Sequence, residues 1–141
     1  MKTVLPALAD STLASAATNF TFTPVNAGVL FCAESYLICT TAIAAGNFST
    51  TAPIVKIQAT PSGGSTVDVA SWTTSVPVAA GEAKALGDQF FFTADSTNAG
   101  ADKAYTFTAL TKFEVKVATA GAGGTTTGAA RVVLCMELNN G

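Results

Sequence analysis

The chain of 141 residues contains no histidine. That removes Ser-His and Cys-His nucleophile pairs and every imidazole ligand for zinc. Charge is scarce too. Seven Lys and Arg plus nine Asp and Glu make 11% of the chain, against about 25% in an average globular protein. A folded domain of this mass exposes roughly 6,700 Å², so one charge serves about 420 Å². The remaining surface falls to Thr, Ser, Asn, Gly, Ala and apolar side chains. Such a surface is either covered by neighbouring molecules or is that of a Ser/Thr-rich extracellular module. The cations are scattered from Lys2 to Arg131. Without a basic patch, nucleic acid is not an expected partner. No run of 18 apolar residues occurs, so no helical membrane span is expected. The three cysteines, Cys32, Cys39 and Cys135, are an odd number, which argues against a disulfide framework. Cys32-x6-Cys39 also departs from zinc-site spacing. On one continuous strand these two would face opposite sides and could bridge only across a turn. All three read as small buried apolar residues.

What the sequence does have is period-two alternation. In "NFTFTP", Phe20 and Phe22 share a face. "PIVKIQATP" puts Val55, Ile57 and Ala59 inward and Lys56, Gln58 and Thr60 outward. "STVDVASW" turns Val67 and Val69 in and Asp68 out. "AYTFTAL" aligns Tyr105 with Phe107. "KFEVKV" buries Phe113, Val115 and Val117 and exposes Lys112, Glu114 and Lys116. "RVVLCMEL" aligns Val132, Leu134, Met136 and Leu138. "GVLFCAESYLICTTA" is apolar on both faces, as a central strand or a tight strand pair near Glu34-Ser35 would be. "EAKALGDQFFFTAD" alternates and ends in three Phe, of which Phe91 must point away from Phe90 and Phe92. The connectors "TPSGGST", "PVAAGE", "DSTNAGADK" and "TAGAGGTTTGA" are turn chemistry. The pattern predicts an all-β single domain, a β-sandwich of jelly-roll type with eight or nine short antiparallel strands over residues 18–141. Residues 1–17 read as an extended N-terminal arm, not a cleaved leader, because Pro6 and Asp10 interrupt the apolar part. Within it, "ALADSTLASAAT" is the best helical candidate, with Asp10-Ser11-Thr12 as a cap.

The glycine-rich "GAGGTTTG" at 121–128 lacks the Lys-Ser/Thr and following helix of a phosphate-binding loop. It reads as a hairpin tip joining two strands that face one core. A tip of Gly, Ala and Thr is costly to order alone, so a neighbouring subunit is expected to hold it. The nine carboxylates are mostly isolated. Asp95 to Asp102 is the densest oxygen cluster but lacks the calcium-loop pattern. Trp72 and Tyr105 are the candidates for a sugar-stacking platform. Asn19-Phe20-Thr21 and Asn47-Phe48-Ser49 match the glycosylation sequon.

The histidine-free, low-charge, Ala/Thr/Gly-rich β chain, with its "MKTVLPALADS" arm and closing "RVVLCMEL" strand, resembles the decoration (cement) proteins of tailed-bacteriophage capsids. The resemblance lies in style and carries no specific motif. It implies a virion structural subunit on the capsid exterior, assembled in the host cytoplasm, with the major capsid protein and copies of itself (a homotrimer) as partners. It implies no catalytic residue, metal, cofactor, small-molecule substrate or membrane. The expected protein-contact residues are Val4, Leu5, Leu8 and Leu13 of the arm, reaching a neighbour, Phe91, and Thr125, Thr126 and Thr127 of the glycine-rich loop. The alternative is an extracellular carbohydrate-binding or adhesin-type β-sandwich.

Overall fold

The computed structural model describes residues 2–6 and 11–139 as two antiparallel sheets packed face to face. The strands are β1 (Lys2–Pro6), β2 (Ser11–Thr12), β3 (Ala17–Phe22), β4 (Gly28–Phe31), β5 (Tyr36–Thr41), β6 (Ile54–Thr60), β7 (Val67–Thr73), β8 (Gln89–Phe91), β9 (Thr93–Ala94), β10 (Ala104–Phe107), β11 (Lys112–Thr119) and β12 (Ala129–Leu138). A single 3-10 turn at Ala80–Glu82 interrupts the β7–β8 connection.

Sheet A is built on β12. Met136 and Glu137 pair with Thr3 and Lys2 of β1 and also with Leu30 and Val29 of β4. Ala129 and Ala130 pair with Thr12 and Ser11 of β2 and also with Thr41 and Cys39 of β5. A residue has one partner on each flank, so β1 and β2 line one flank of β12 while β4 and β5 line the other. β8 and β10 then cover the outer flank of β5 and β4 respectively. Sheet B runs β3-β11-β6-β7-β9. Taking β1–β2, β4–β5 and β8 with β10 as single rungs leaves eight rungs, β9 being an addition outside β7. In chain order they stand 1-8-3-6 in sheet A and 2-7-4-5 in sheet B. This is the double Greek-key order of a jelly roll.

The alternation seen in the sequence sets the burial. β6 alternates half-buried and buried along its whole length. Val55, Ile57, Phe113 and Val115 from sheet B meet Leu37, Val132, Leu134 and Met136 from sheet A in one core. Phe113 is its centre, with Phe107 edge-on at 4.8 Å and Tyr105 at 6.2 Å. The chain changes sheets at Phe92, which is buried between β8 and β9. Phe90 is also buried, whereas Phe91 is 55% exposed, as the alternation requires.

Four expectations are corrected. First, "GVLFCAESYLICTTA" is neither uninterrupted nor a hairpin. β4 and β5 run in the same direction along β12, broken at 32–35. The break absorbs extra residues, because Phe31 O accepts from both Glu34 N and Ser35 N, and it resets the parity. Cys32 and Cys39 therefore both point inward and are free. Second, β11 and β12 do not form a hairpin. They lie in opposite sheets, so 120–128 is a crossover at the end of the sandwich. Third, Leu13 of the arm is not available to reach a neighbour. β1 and β2 complete the sheet of their own chain, and Leu13 is fully buried in its own core. Leu8 lies outside the described residues. Fourth, no helix forms over the described part of "ALADSTLASAAT". Ser11–Thr12 is strand and 13–15 is a turn.

Candidate functional site

The glycine-rich crossover is held from within. Phe48 N donates to Thr125 O, Ser49 N to Gly123 O, Thr50 N to Ala122 O, and Gly121 N to Leu13 O. The Asn47 amide donates to Thr127 O at 2.7 Å. Glycine is needed at two points. A Cβ on Gly121 would sit 2.3 Å from the Phe48 ring, and Gly123 combines φ +90 with a 2.1 Å approach to Thr50 Oγ1. The expected neighbour is thus replaced by the 47–51 segment. Thr125 and Thr127 remain exposed and Thr126 half-buried. The same geometry takes Asn47 out of consideration as a glycosylation acceptor, since it is 4% exposed and its amide is engaged.

Several carboxylates are bonded locally. Asp95 Oδ1 accepts from Thr97 N and Asn98 N and from the Asn98 amide, a turn-stabilising use. Glu82 accepts from Ser75 and from Ala79 N, and those bonds, the Ser75 hydroxyl's first, hold its carboxyl below the usual range. Asp88 accepts from Ala85 N. Asp68 accepts from Lys56 and Gln58, and the Lys56 bond leads in depressing its pKa. Among the described residues no group of three His, Cys, Asp or Glu side chains stands close enough to hold a metal ion. Burial pushes the Cys32 thiol up to about 11 and raises Cys39 as well. Such thiols are poor nucleophiles.

The two candidate sugar platforms pack inward. Trp72 lies 4.8 Å from the Phe90 ring, and Tyr105 stands edge-on to Phe113 with its hydroxyl pKa raised by burial. A recess of about 320 Å³ lies beside the 92–103 excursion. Its wall includes Ala33, Phe92, Ala94, Ser96, Gly100 and Lys103, so Lys103 is its one charged group.

Two surfaces carry exposed large apolar side chains. The first is the outer face of sheet A. Leu37 and Val132 point into the core, so their strand neighbours point out. The central cross-strand row is Val133–Tyr36–Phe91, with Tyr36 and Phe91 rings 6.0 Å apart. Arg131–Ile38–Gln89 lies on one side of it, and Glu137–Val29–Thr106 on the other. The second surface is the end of the sandwich formed by the loops 23–27, 61–66 and 108–111. None of these residues is charged. Val25 is 74% exposed and Leu110 56%, and Leu110 N donates to Pro24 O at 2.9 Å. Leu110 has φ +62, a conformation that costs a bulky side chain about 1 kcal/mol or more. This end was missed in the sequence. Its available signal was a set of uncharged loops carrying Val and Leu, residues that turns do not need.

Of the residues expected to make protein contacts, the structure leaves Phe91 exposed on the first surface. Val4 stands opposite Cys135 and Leu5 opposite Leu134 in β1, so their backbone is committed to β12 of the same chain. Comparison with protein-family models, with curated proteins and with solved structures gives no match for this chain.

Proposed function

We propose that the protein is a non-enzymatic structural subunit of a virion, a decoration subunit that binds the outer capsid lattice and bridges its capsomers. The observation that carries this reading is the end of the sandwich where the loops 23–27, 61–66 and 108–111 carry no charged residue. There, two aliphatic side chains stand in solvent on hydrogen-bonded loops, one of them in a strained backbone conformation that no intrachain burial repays. Apolar groups without neighbouring charges lose little on desolvation and suit the centre of a protein interface. The jelly-roll order is in keeping with the reading, since viral capsid domains use it, but lectins and cupins use it as well. The arm completes its own sheet, so the contact to the lattice is assigned to this end rather than to the arm. A subunit that binds the assembled shell and not its parts stabilises the shell by mass action, and repetition by symmetry multiplies weak contacts.

The test is location. An antiserum against the recombinant chain is applied to intact particles banded on a density gradient from the source material. Gold label on the capsid exterior is the expected result. Absence of the chain from the particle fraction, or label confined to tails, sinks the capsid assignment.

A further inference from the structure

We infer that the outer face of sheet A is the interface of a two-fold dimer of this chain. The inference uses none of the virion reading. A sandwich sheet whose second face meets water should alternate apolar with polar residues. The outward positions of sheet B are mainly polar, whereas sheet A sets apolar residues among its polar ones. Beside Arg131, Gln89, Thr106 and Glu137, its outward positions hold Val29, Phe31, Tyr36 and Ile38, all half-buried, Val133, which is buried at 5%, and Phe91, the most open of the large ones at 55%.

The charges on this face point to a second copy as the occupant. Arg131 is exposed two residues from Val133 along β12. On the other side of Val133, also two residues away, Cys135 lies under Glu34, whose carboxylate is 3.8 Å from the thiol. The two charges nearest the apolar row are thus opposite in sign and equally spaced about it, and Glu137 lies two residues further out. A two-fold axis along that row reverses the strand direction in the partner. It lays Arg131 of each copy over Glu34 of the other, and Phe91 against Phe91. An axis along the strands would instead bring Phe91 to the β1 edge and pair no charges. Arg131 and Glu34 each keep contacts within the chain as well, so the intermolecular pair is an addition to those. The arrangement is self-complementary, as an isologous interface requires. The face spans roughly 30 by 19 Å from strand rise and spacing. That is somewhat below the about 800 Å² per partner of a standard interface, so the dimer is concentration-dependent rather than obligate.

Sedimentation velocity of the full-length recombinant chain over a concentration series tests this. The expected result is a monomer–dimer equilibrium without trimer. Phe91→Asp should weaken it by at least about tenfold, as loss of a central aromatic contact does, and Lys116→Asp on sheet B should not. Near-ultraviolet circular dichroism checks that Phe91→Asp is folded, which its exposure favours. Arg131→Glu should weaken the dimer, and adding Glu34→Arg should restore it. A monomer at every concentration, a trimer, or a dimer indifferent to Phe91→Asp overturns the interface. A dimer lost in Arg131→Glu but not restored in the double variant overturns the two-fold register. None of these results bears on whether the chain is found in particles, so the two proposals fail separately.

Discussion

The outer faces of the two sheets are built from the same strand rule and come out opposite. On sheet B the outward positions of β6, β7 and β11 are Lys56, Gln58, Asp68, Lys112, Glu114 and Lys116. They are tied by Lys56–Asp68 at 2.8 Å and Lys112–Glu114 at 2.6 Å. On sheet A the equivalent positions hold Val29, Tyr36, Ile38, Phe91 and Val133 together with Gln89, Thr106, Arg131 and Glu137. A chain with 16 charges (7 + 9) has thus put five of them, Lys56, Asp68, Lys112, Glu114 and Lys116, on one face. The sheets share a core, so the difference has nothing to do with folding the interior. It concerns what each face meets.

If the inward faces are equivalent, matched truncations in them should cost alike. Leu134 in β12 and Ile57 in β6 are both fully buried. Leu134→Ala and Ile57→Ala are each expected to destabilise by about 2–5 kcal/mol, read by urea denaturation. A cost in one sheet less than about half that in the other would mean that one sheet packs loosely, and the outer-face contrast would then reflect the interior.

Alkaline pH probes the inner side of sheet A. The Cys32 thiol titrates near 11 in the fold and at 9.0 in an open chain. The folded state therefore holds its proton longer. Its contribution is fully present below pH 9 and is lost as pH rises from 9 to 11, at about 1.4 kcal/mol per unit. Cys32→Ala should flatten that part of the stability profile. An unchanged slope would place the alkaline loss elsewhere, for instance at Tyr105.

The break between β4 and β5 offers a smaller effect on the same sheet. Ser35 is fully buried. Its hydroxyl donates to Phe31 O at 2.9 Å and accepts from Cys135 N at 3.0 Å, a donor of β12 where the flanking strand is interrupted. Ser35→Ala removes the Ser35 bond to that N–H and is expected to cost about 1–3 kcal/mol. Hydrogen exchange at Cys135 should accelerate with it. Stability loss without faster exchange there would show that the hydroxyl serves Phe31 and not β12.

How far the sequence revealed this follows from what alternation encodes. It fixes which side chains of a strand share a face. Lys56/Gln58/Thr60, Lys112/Glu114/Lys116 and the odd orientation of Phe91 were all legible for that reason. It says nothing about which strand lies alongside. β11 and β12 are consecutive and match in pattern, yet the jelly roll sends them to different sheets, where the same inward residues meet across the core instead of side by side. Parity also fails at an insertion, which is why Cys32 and Cys39 turn the same way. The arm misled because Leu13 sits among small residues with no neighbouring period. The uncharged end was hidden because a left-handed leucine carries no compositional mark. Glycine or asparagine would have signalled a turn there.

The smallest effect is the one that most sharpens the contrast, since it asks whether the charges of sheet B do anything for the fold. Lys56 and Lys116 stand directly opposite each other in the β6–β11 register, which is unfavourable for like charges. Asp68 offsets this from β7 by bonding Lys56 and Gln58. Its side chain is 37% accessible, so screening keeps the contribution small. Asp68→Ala is expected to cost about 0.2–1 kcal/mol at low salt, and less when salt screens the lysine pair. The depressed carboxyl pKa gives the sign with pH. The contribution is present above the open-chain carboxylate value and disappears as pH falls through the folded one. A salt-independent loss would mean that Asp68 acts through packing or strand propensity. The charges of sheet B would then serve to keep its face wet, and the contrast with sheet A would rest wholly on what each face excludes.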